Sequence, residues 1–533
     1  MAQISTQFSN NVLDSTIAFE LLLTEKAQLE DLPESFIQMS ADYAVQRGHE
    51  GASVENGPWA ITLDAPSYLP FMKNSPRRDL REHLYKAYVK RGSEGEQQNQ
   101  AIVEEILALR REKANLLGYK THAEMSLKSK MAGTVEAVDK LLADLQKAAT
   151  PAGEQDLADL RAIAKKEGDA AGEDFQQWDI YYWAERLRES KYDLNAEALR
   201  PYFPFERVLD GMFDLVNRIF NIHVVQADGE VPVWHEDVRY FRVQDDSGQD
   251  IAAFYLDPYS RPAEKRGGAW ATPAVQRSAL FATEGQPVRI PVAYMTCNQS
   301  PPVGDTPCLM TLNEVETLFH EFGHDLQHML TDIDYGMCSG LALIEWDAIE
   351  IASQFMENWI YHKPTLKALS GHYQTGDPLP EETLDKIIQA RTFRAGYAML
   401  RQVNFGRLDM ELYARHNPGS ENVADLQERI FKDTLILDPI EDDMFYCGFH
   451  HIFPGGYSAG YYSYKWSEVL SADAFAAFTE VGLENEAAVR EVGLRYRNTI
   501  LARGGSQHPM DVYKEFRGRE PSIEPLLMQE GLM

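Results

Sequence analysis

Apolar positions in the first part of the chain recur at helical intervals. Five of them, spaced mostly four to five residues apart among polar side chains, predict an amphipathic helix that opens the chain. They are Phe8, Val12, Ile17, Leu21 and Leu22. A short extended piece is predicted over 59–63, and helical patterning then runs from 78 to 225 with Gly and Pro interruptions. This half of the chain therefore predicts stacked helices.

The pattern changes to strand-like between residues 238 and 298. Residues 238–243 and 251–256 flank an Asp-Asp-Ser-Gly turn that ends at Gly248, which predicts a β-hairpin. Another extended run covers 288–295. Together these segments predict a small antiparallel β-sheet.

Helical patterning returns near Asn313 and continues almost to the C-terminus. The fold class is therefore mainly α, with one small sheet. A chain of 533 residues exceeds what one hydrophobic core usually supports, so we expect two lobes. In the absence of a clear linker, we divide the chain into a helical lobe over 1–225 and a second lobe over 226–533 that contains the sheet.

Composition and charge exclude several classes of protein. With 44% hydrophobic and 25% charged residues, the chain resembles an ordinary globular protein. The net charge of −31 and the lack of a basic stripe argue against nucleic acid or an anionic membrane as the partner. The four cysteines form no Cys-x-x-Cys pair, and the N-terminus has no signal-like segment. We therefore expect a soluble, cytoplasmic protein with reduced thiols, or one in an organelle lumen if its N-terminus is longer.

The segment from His320 to His324 carries the most informative pattern, His-Glu-x-x-His. On a helix, residues four apart lie about 40° from each other, so both imidazoles leave one face and can hold a metal ion. Glu321 is then placed beside the metal, where it can take a proton from bound water. Thr311 or Asn313 could cap this helix, with a glutamate three residues later completing a capping box.

A third ligand is expected downstream on an adjacent helix, and Glu350 is the candidate. The segment 346–359 is helical by periodicity, and Glu350 lies on its polar stripe. Rival carboxylates in the same segment remain open on pattern alone: Glu345, Asp347 and Glu357. Two histidines, one carboxylate and an open position for water favour zinc, although cobalt or manganese would also fit.

Tyr457, Tyr461 and Tyr464 recur at four and three residues, so a helix starting near Tyr457 would present their hydroxyls on one face. Such a stripe is often plain hydrophobic core. Beside a metal site, however, phenols can stabilise the oxyanion that forms when a carbonyl is attacked. Gly455 and Gly456 could supply the hinge freedom that closes the tyrosines over a substrate.

Three ordered motifs, residues 314–324, 347–359 and 455–464, resemble the thimet oligopeptidase and oligopeptidase A family of zinc metallopeptidases. The resemblance extends across nearly the whole chain, including 62–70 and 516–521. It implies a two-lobed helical peptidase with a deep active-site channel. It also implies a monomeric endopeptidase that holds one zinc ion and degrades short intracellular peptides.

The resemblance also assigns residues. It implies that Glu350 is the third zinc ligand beside His320 and His324, with Glu321 as the base. His451 and Tyr461 match substrate-contacting residues of the family, while Tyr457 and Tyr464 match its oxyanion donors; Gly455 and Gly456 precede them.

The sequence departs from the family pattern near the metal clamp. Leu312 and Gln327 stand where relatives commonly carry histidine, and the chain starts well inside the family pattern. These departures motivate one alternative, a peptide-binding scaffold that keeps zinc only for stability. The other alternative is an aminopeptidase or another hydrolase with the same His-Glu-x-x-His clamp.

Overall fold

The computed structural model describes residues 1–261, 265, 268–302 and 304–533. Helices dominate the first part of the chain, as the apolar spacing predicts. They are α1 (Ala2–Ala18), α2 (Glu34–Gln46), α3 (Ala65–Asn74), α4 (Arg78–Val89), α5 (Gln100–Leu116), α6 (His122–Leu127), α7 (Val135–Lys166), α8 (Ile180–Tyr192), α9 (Ala196–Leu199) and α10 (Phe205–Phe220).

The opening helix is shorter than predicted. Helix α1 ends at Ala18, and the next leucines form strand β1 (Leu21–Leu23), which pairs antiparallel with β2 (Trp59–Ile61). Pairing satisfies the backbone of both strands while Leu23 and Trp59 become buried. Leu21 and Leu22 thus belong to a strand, and the extended piece predicted over 59–63 is confirmed for 59–61.

The predicted sheet is present, with five strands instead of the three predicted. They are β3 (His223–Gln226), β4 (Arg239–Gln244), β5 (Asp250–Tyr259), β6 (Trp270–Val275) and β7 (Val292–Gln299). Their spatial order is β3-β4-β5-β7-β6, and the predicted hairpin is β4 and β5. One pair differs from the antiparallel prediction: β7 returns between β5 and β6, so it runs parallel to β5. Strand β6 therefore lies at an edge of the sheet.

The remaining part of the chain is helical again. Its helices are α11 (Leu312–Met329), α12 (Ile351–Glu357), α13 (Lys363–Leu369), α14 (Glu381–Ala390), α15 (Ala395–Met410), α16 (Val423–Thr434), α17 (Ser463–Glu480), α18 (Glu486–Tyr496), α19 (Pro509–Arg517) and α20 (Glu524–Gln529). Among the described residues, no helix is both long and apolar enough to cross a membrane.

Two large hydrophobic clusters position the metal-binding segments. One packs α10 and the sheet against α11, α12 and α18. The other joins α5, α6 and α7 to α15 and to the turns around Tyr461. Helix α11 thus rests on the sheet, while the tyrosine segment rests on helices from the start of the chain. The division of the chain at residue 225 remains a prediction.

Candidate metal centre

Helix α11 begins with a capping box that fixes its start. The backbone N–H of Glu314 donates to Thr311 Oγ1 at 3.2 Å, and the backbone N–H of Thr311 donates to Glu314 Oε2 at 2.7 Å. Of the two capping alternatives, the structure has Thr311. The helix then runs without interruption through His320 and His324, so both imidazoles leave it on one face, as predicted.

The structure brings His320, His324 and Glu350 together. Glu350 Oε2 lies 3.4 Å from Nε2 of His320 and 3.1 Å from Nε2 of His324. One donor atom from each residue falls within 4.8 Å of the others, and all three residues are half-buried. Two imidazole nitrogens and a carboxylate oxygen in this arrangement fit a divalent metal ion with an open position.

The electrostatics of the site also fit a cation. Burial alone would lower the pKa of His320, but hydrogen bonds to Glu350 and Glu357 raise it to about 10. Burial would raise the pKa of Glu350, whereas the two histidines hold it well below its usual value. Positive charge is therefore favoured at the point where the three side chains meet.

Glu350 lies just before a helix, not inside one. Helix α12 begins at Ile351, and residues 346–350 form turns, so the predicted helix over 346–359 is too long at its start. Ser353 Oγ donates to Glu350 Oε2 at 2.9 Å and so helps to fix the carboxylate. The shorter helix follows from Asp347, whose carboxylate is used to anchor the turn.

Asp347 is fully buried and accepts three hydrogen bonds. Its oxygens take the backbone N–H of Met131 at 2.7 Å, that of Ala132 at 2.9 Å and the hydroxyl of Tyr462 at 2.7 Å. Asp347 therefore joins the turn before Glu350 to the chain after helix α6. The sequence pattern gave no sign of this role, because its donors lie far away in the chain.

Glu357 orients His320. Its Oε1 lies 2.6 Å from Nδ1 of His320, so Nδ1–H donates to the carboxylate and the lone pair of Nε2 is left for the metal. In the described structure, the rival carboxylates Glu345, Asp347 and Glu357 all lie outside the group of three convergent side chains. Glu357 is thus bound to the ring nitrogen of His320 that does not face Glu350.

We expect Glu357→Gln to weaken metal binding by roughly 10- to 100-fold while leaving the site able to fill at high metal concentration. An amide can accept the same hydrogen bond but supplies no charge. Competition with a chelator of known affinity measures the change. Glu345→Gln serves as the control, and equal affinities for both variants would contradict the orienting role.

Gly323 permits the close approach of α11 and α12. A Cβ at this position would lie 2.5 Å from the backbone oxygen of Ala352 and 2.6 Å from Cα of Ser353. Both atoms belong to the backbone just after Glu350 and cannot move aside cheaply. A glycine between the two histidines is therefore what lets Glu350 reach them.

We expect Gly323→Ala to lower the free energy of unfolding by about 1 to 3 kcal/mol through overpacking, and to weaken metal binding as well. Gly406→Ala is the matched control in helix α15, because the atoms nearest to its Cβ would belong to the flexible side chain of Leu142, at 3.1 Å and beyond. Chemical denaturation of both variants, with metal content measured alongside, tests the expectation. The expectation would be refuted if the Gly323→Ala protein were as stable as the control and contained as much metal.

Glu321 lies beside the three ligands and is 6% exposed. Burial raises the pKa of its carboxyl, while His320 and His324 lower it, and the backbone N–H of Ala271 in β6 hydrogen-bonds to it. Strand β6, at the edge of the sheet, therefore contacts the Glu321 carboxylate. This placement gives a proton acceptor one residue from a metal-facing histidine.

Two residues near the histidines, Gln327 and Leu312, depart from the family pattern, and both pack against the protein interior. Gln327 is buried and donates from Nε2 to the backbone oxygen of Ile500 at 3.3 Å, while Leu312 packs against the large core cluster. Asp325, next to His324, is completely buried, and burial raises the pKa of its carboxyl well above the usual value.

The tyrosine segment is not the predicted helix. Helix α17 begins only at Ser463, and residues 454–462 form turns. Ala459 has a φ of 47°, which no right-handed helix accommodates. Asp409 instead anchors the turn by accepting the backbone N–H groups of Ala459, Gly460 and Tyr461 at 2.8, 2.8 and 2.9 Å. The side-chain spacing of four and three was thus a misleading signal.

Two of the three tyrosines lie close enough to Glu350 to be influenced by its charge. The rings of Tyr457 and Tyr464 stack at 4.8 Å, and the negative charge of Glu350 contributes to raising the pKa of both phenols, although burial is the larger cause. Tyr461 differs, because its hydroxyl donates to Gln402 Oε1 at 3.0 Å. Burial raises the pKa of Tyr461 as well.

His451, Gly455 and Gly456 lie close to these tyrosines. The His451 ring is 6.1 Å from that of Tyr457 and 5.7 Å from that of Tyr461. A Cβ on Gly455 would lie 2.6 Å from the backbone oxygen of His451, so this glycine is needed for a tight turn. Gly456 faces Trp346, which packs edge-on against Tyr457 at 5.5 Å.

A cavity of about 830 Å³ opens beside the tyrosines. Helices α3 and α4 line one side and α15 another, and Gln354, His451, Tyr461 and Tyr464 belong to its wall. The cavity therefore reaches the tyrosine segment and lies between the early and the late parts of the chain.

Comparisons with known proteins agree with this geometry. The family model for peptidase family M3 matches residues 71–532. The chain is 54% identical to organellar oligopeptidase A, chloroplastic/mitochondrial, and 54% identical to probable cytosolic oligopeptidase A, both from Arabidopsis thaliana. These matches cover 100% of this chain, 67% of the first relative and 76% of the second.

A likeness of fold is also found among solved structures. A crystal structure of a putative peptidase from Chlamydophila abortus gives a TM-score of 0.54 at 13% sequence identity. The alignment covers 99% of this chain and 76% of that chain. At this identity the likeness concerns the mainly helical fold alone.

Proposed function

Because the chain belongs to peptidase family M3, we propose that it is a zinc-dependent endopeptidase that acts in intracellular peptide degradation. It is a metallopeptidase of the oligopeptidase A type, and its substrates are short peptides. The observation that carries the finer proposal is the meeting of His320, His324 and Glu350 with Glu321 beside them.

The metal would be held by the two imidazole nitrogens and the Glu350 carboxylate. When bound there, a zinc ion makes a coordinated water more acidic and polarises the peptide carbonyl. Glu321 accepts the proton of the attacking water and returns it to the nitrogen of the leaving amine. Burial favours this exchange, since it raises the pKa of the Glu321 carboxyl.

The phenols of Tyr457 and Tyr464 donate hydrogen bonds to the oxygen that becomes negative as the carbonyl is attacked. Their raised pKa values keep both hydroxyls protonated and able to donate. A donor aimed at the developing charge lowers the barrier because it binds the transition state more strongly than the substrate. His451, Tyr461, Gly455 and Gly456 contact the rest of the peptide.

The proposal is tested with a quenched fluorescent peptide blocked at both ends. We expect cleavage at internal bonds, loss of cleavage with a chelator, and recovery when stoichiometric zinc is returned. Mass spectrometry of the products identifies the bonds. An aminopeptidase would leave the blocked peptide intact, and a non-catalytic scaffold would bind it without cleaving it.

The identity of the metal needs its own measurement. We expect one zinc ion per chain in protein purified without added metal, because two histidines and a carboxylate favour zinc. Cobalt or manganese would also restore activity after chelation if the site accepts them. We place the enzyme in the cytoplasm or in an organelle lumen as a monomer; the two plant relatives carry organellar and cytosolic names.

Replacing the donor phenols should lower kcat with little change in KM. We expect Tyr457→Phe and Tyr464→Phe each to reduce kcat by about 10²-fold, as the loss of one oxyanion donor does. Tyr461→Phe is the comparison variant: its hydroxyl donates to Gln402 and is not a proposed oxyanion donor, so we expect a smaller loss of kcat. Equal losses in all three variants would contradict the assignment of the donors.

A further inference from the structure

Helix α15 presents a cation to the cavity. The Arg401 side chain is exposed in the wall formed by this helix. Its Nη1 donates to the hydroxyl of Tyr181 at 3.3 Å, and its guanidinium lies 5.4 Å from the ring of Phe405. Among the described residues, it forms no ion pair. Its charge is therefore left without a counter-ion.

Phenols surround much of the guanidinium. The phenols of Tyr85, Tyr181 and Tyr397 are its main electrostatic neighbours. Phenols can accept or donate hydrogen bonds, but they do not neutralise an arginine until the pH is far above the physiological range. An anionic ligand would supply the missing charge.

The carboxylates of the described cavity wall are engaged with other partners. Glu468 pairs with Lys465 at 2.5 Å. Asp443 Oδ1 accepts the backbone N–H of Phe445 at 2.9 Å and the side-chain amide of Gln427 at 3.1 Å. Neither forms an ion pair with Arg401, although both line the same cavity.

A second arginine strengthens the positive character of this wall. Arg394, the residue just before α15, also lines the cavity. Its guanidinium lies 4.9 Å from the ring of Tyr397. Asp156 offsets part of its charge, since the two interact electrostatically. Two arginines therefore contribute positive charge to this cavity wall.

The position of Arg401 relates it to the reaction centre. The next residue, Gln402, accepts the hydroxyl of Tyr461 at 3.0 Å, and the Tyr461 ring lies 5.4 Å from that of Tyr464. A few side chains therefore separate the guanidinium from a proposed oxyanion donor. A short peptide that lies across the metal centre would extend into this part of the cavity.

We propose that Arg401 binds a carboxylate of the peptide substrate and so selects peptides that place a negative charge in this cavity. The guanidinium presents paired N–H groups that match a carboxylate in a bidentate manner. The carboxylate is either the C-terminus of the peptide or the side chain of an aspartate or glutamate. This inference rests on the proposed endopeptidase function.

Two N-acetylated fluorogenic peptides and a panel of their variants test the proposal. The first peptide has neutral side chains and a free C-terminal carboxylate, and the second is its C-terminal amide. The panel consists of amides of the same sequence that carry one glutamate at successive positions. We expect the wild-type kcat/KM to be about 10- to 100-fold higher for a carboxylate peptide than for the neutral amide. Whichever carboxylate peptide is cleaved faster shows whether the bound carboxylate is the C-terminus or a side chain.

Arg401→Gln should abolish this preference and leave cleavage of the neutral amide within about threefold, whereas Arg401→Lys should keep part of it. Arg407→Gln is the matched control on the same helix, because Arg407 pairs with Asp433 at 2.6 Å away from the cavity. A merely structural arginine would instead lower kcat/KM equally for the charged and the neutral peptides, which would overturn the proposal.

The wild-type ratio needs no variant, so the test stands even if Arg401→Gln does not fold. Equal kcat/KM for the charged and neutral peptides would overturn the inference alone. Failure of the wild-type enzyme to cleave any of the peptides in a metal-dependent way would contradict the proposed function, and the inference with it.

Discussion

Glu321→Gln should keep its metal and lose its turnover. Glutamine has nearly the same shape but cannot accept the proton of the attacking water, so we expect kcat to fall by roughly 10²- to 10⁴-fold. The proposed metal ligands His320 and His324 are untouched, so metal content should stay at the wild-type level. Steady-state kinetics together with elemental analysis of the same sample provide the measurement.

Glu321→Asp is the graded control for this experiment. It retains a carboxylate but withdraws it by one methylene, so we expect a smaller loss of kcat than in Glu321→Gln. Chemical denaturation of both variants separates a catalytic defect from a folding defect. Undiminished peptide hydrolysis by Glu321→Gln would rule out the proposed mechanism.

Glu350→Gln should lose both metal and activity. An amide oxygen is a weaker ligand and brings no negative charge to balance the cation, so we expect a larger fall in metal affinity than for Glu357→Gln. Activity should drop to that of chelator-treated wild-type enzyme. Dialysis against metal-free buffer followed by elemental analysis measures the occupancy.

Glu345→Gln provides the control from the same turn. Its side chain lies outside the convergent group formed with the two histidines. We expect wild-type metal content and near wild-type activity. If Glu345→Gln lost the metal while Glu350→Gln retained it, the third ligand would have been assigned to the wrong carboxylate.

The sequence predicted the parts of the centre that depend on local spacing. His320, Glu321 and His324 share one helix, so the helical repeat alone fixes their relative directions. Residue spacing could not select Glu350, and the family resemblance was needed to prefer it. The reason is physical: its approach depends on the contact of Gly323 with the backbone of Ala352, which is a tertiary feature.

The tyrosine segment shows where periodicity fails. Spacing of four and three predicts a helix, but Asp409 and the left-handed Ala459 impose turns on it. Glu357 was considered only as a rival ligand, and its position behind His320 emerges from the packing of α12 on α11. Hydrogen bonds between distant segments leave no periodic trace in a sequence.

The three hydrogen bonds of Asp347 also bear on protein engineering. Its carboxylate is satisfied by backbone groups of Met131 and Ala132, which lie before residue 225. A fragment comprising only 226–533 would contain all three metal-binding side chains, yet would leave this buried charge short of two donors. We therefore expect that no minimal catalytic fragment can be excised at that point, and that co-expression of both halves would be required to assemble the centre.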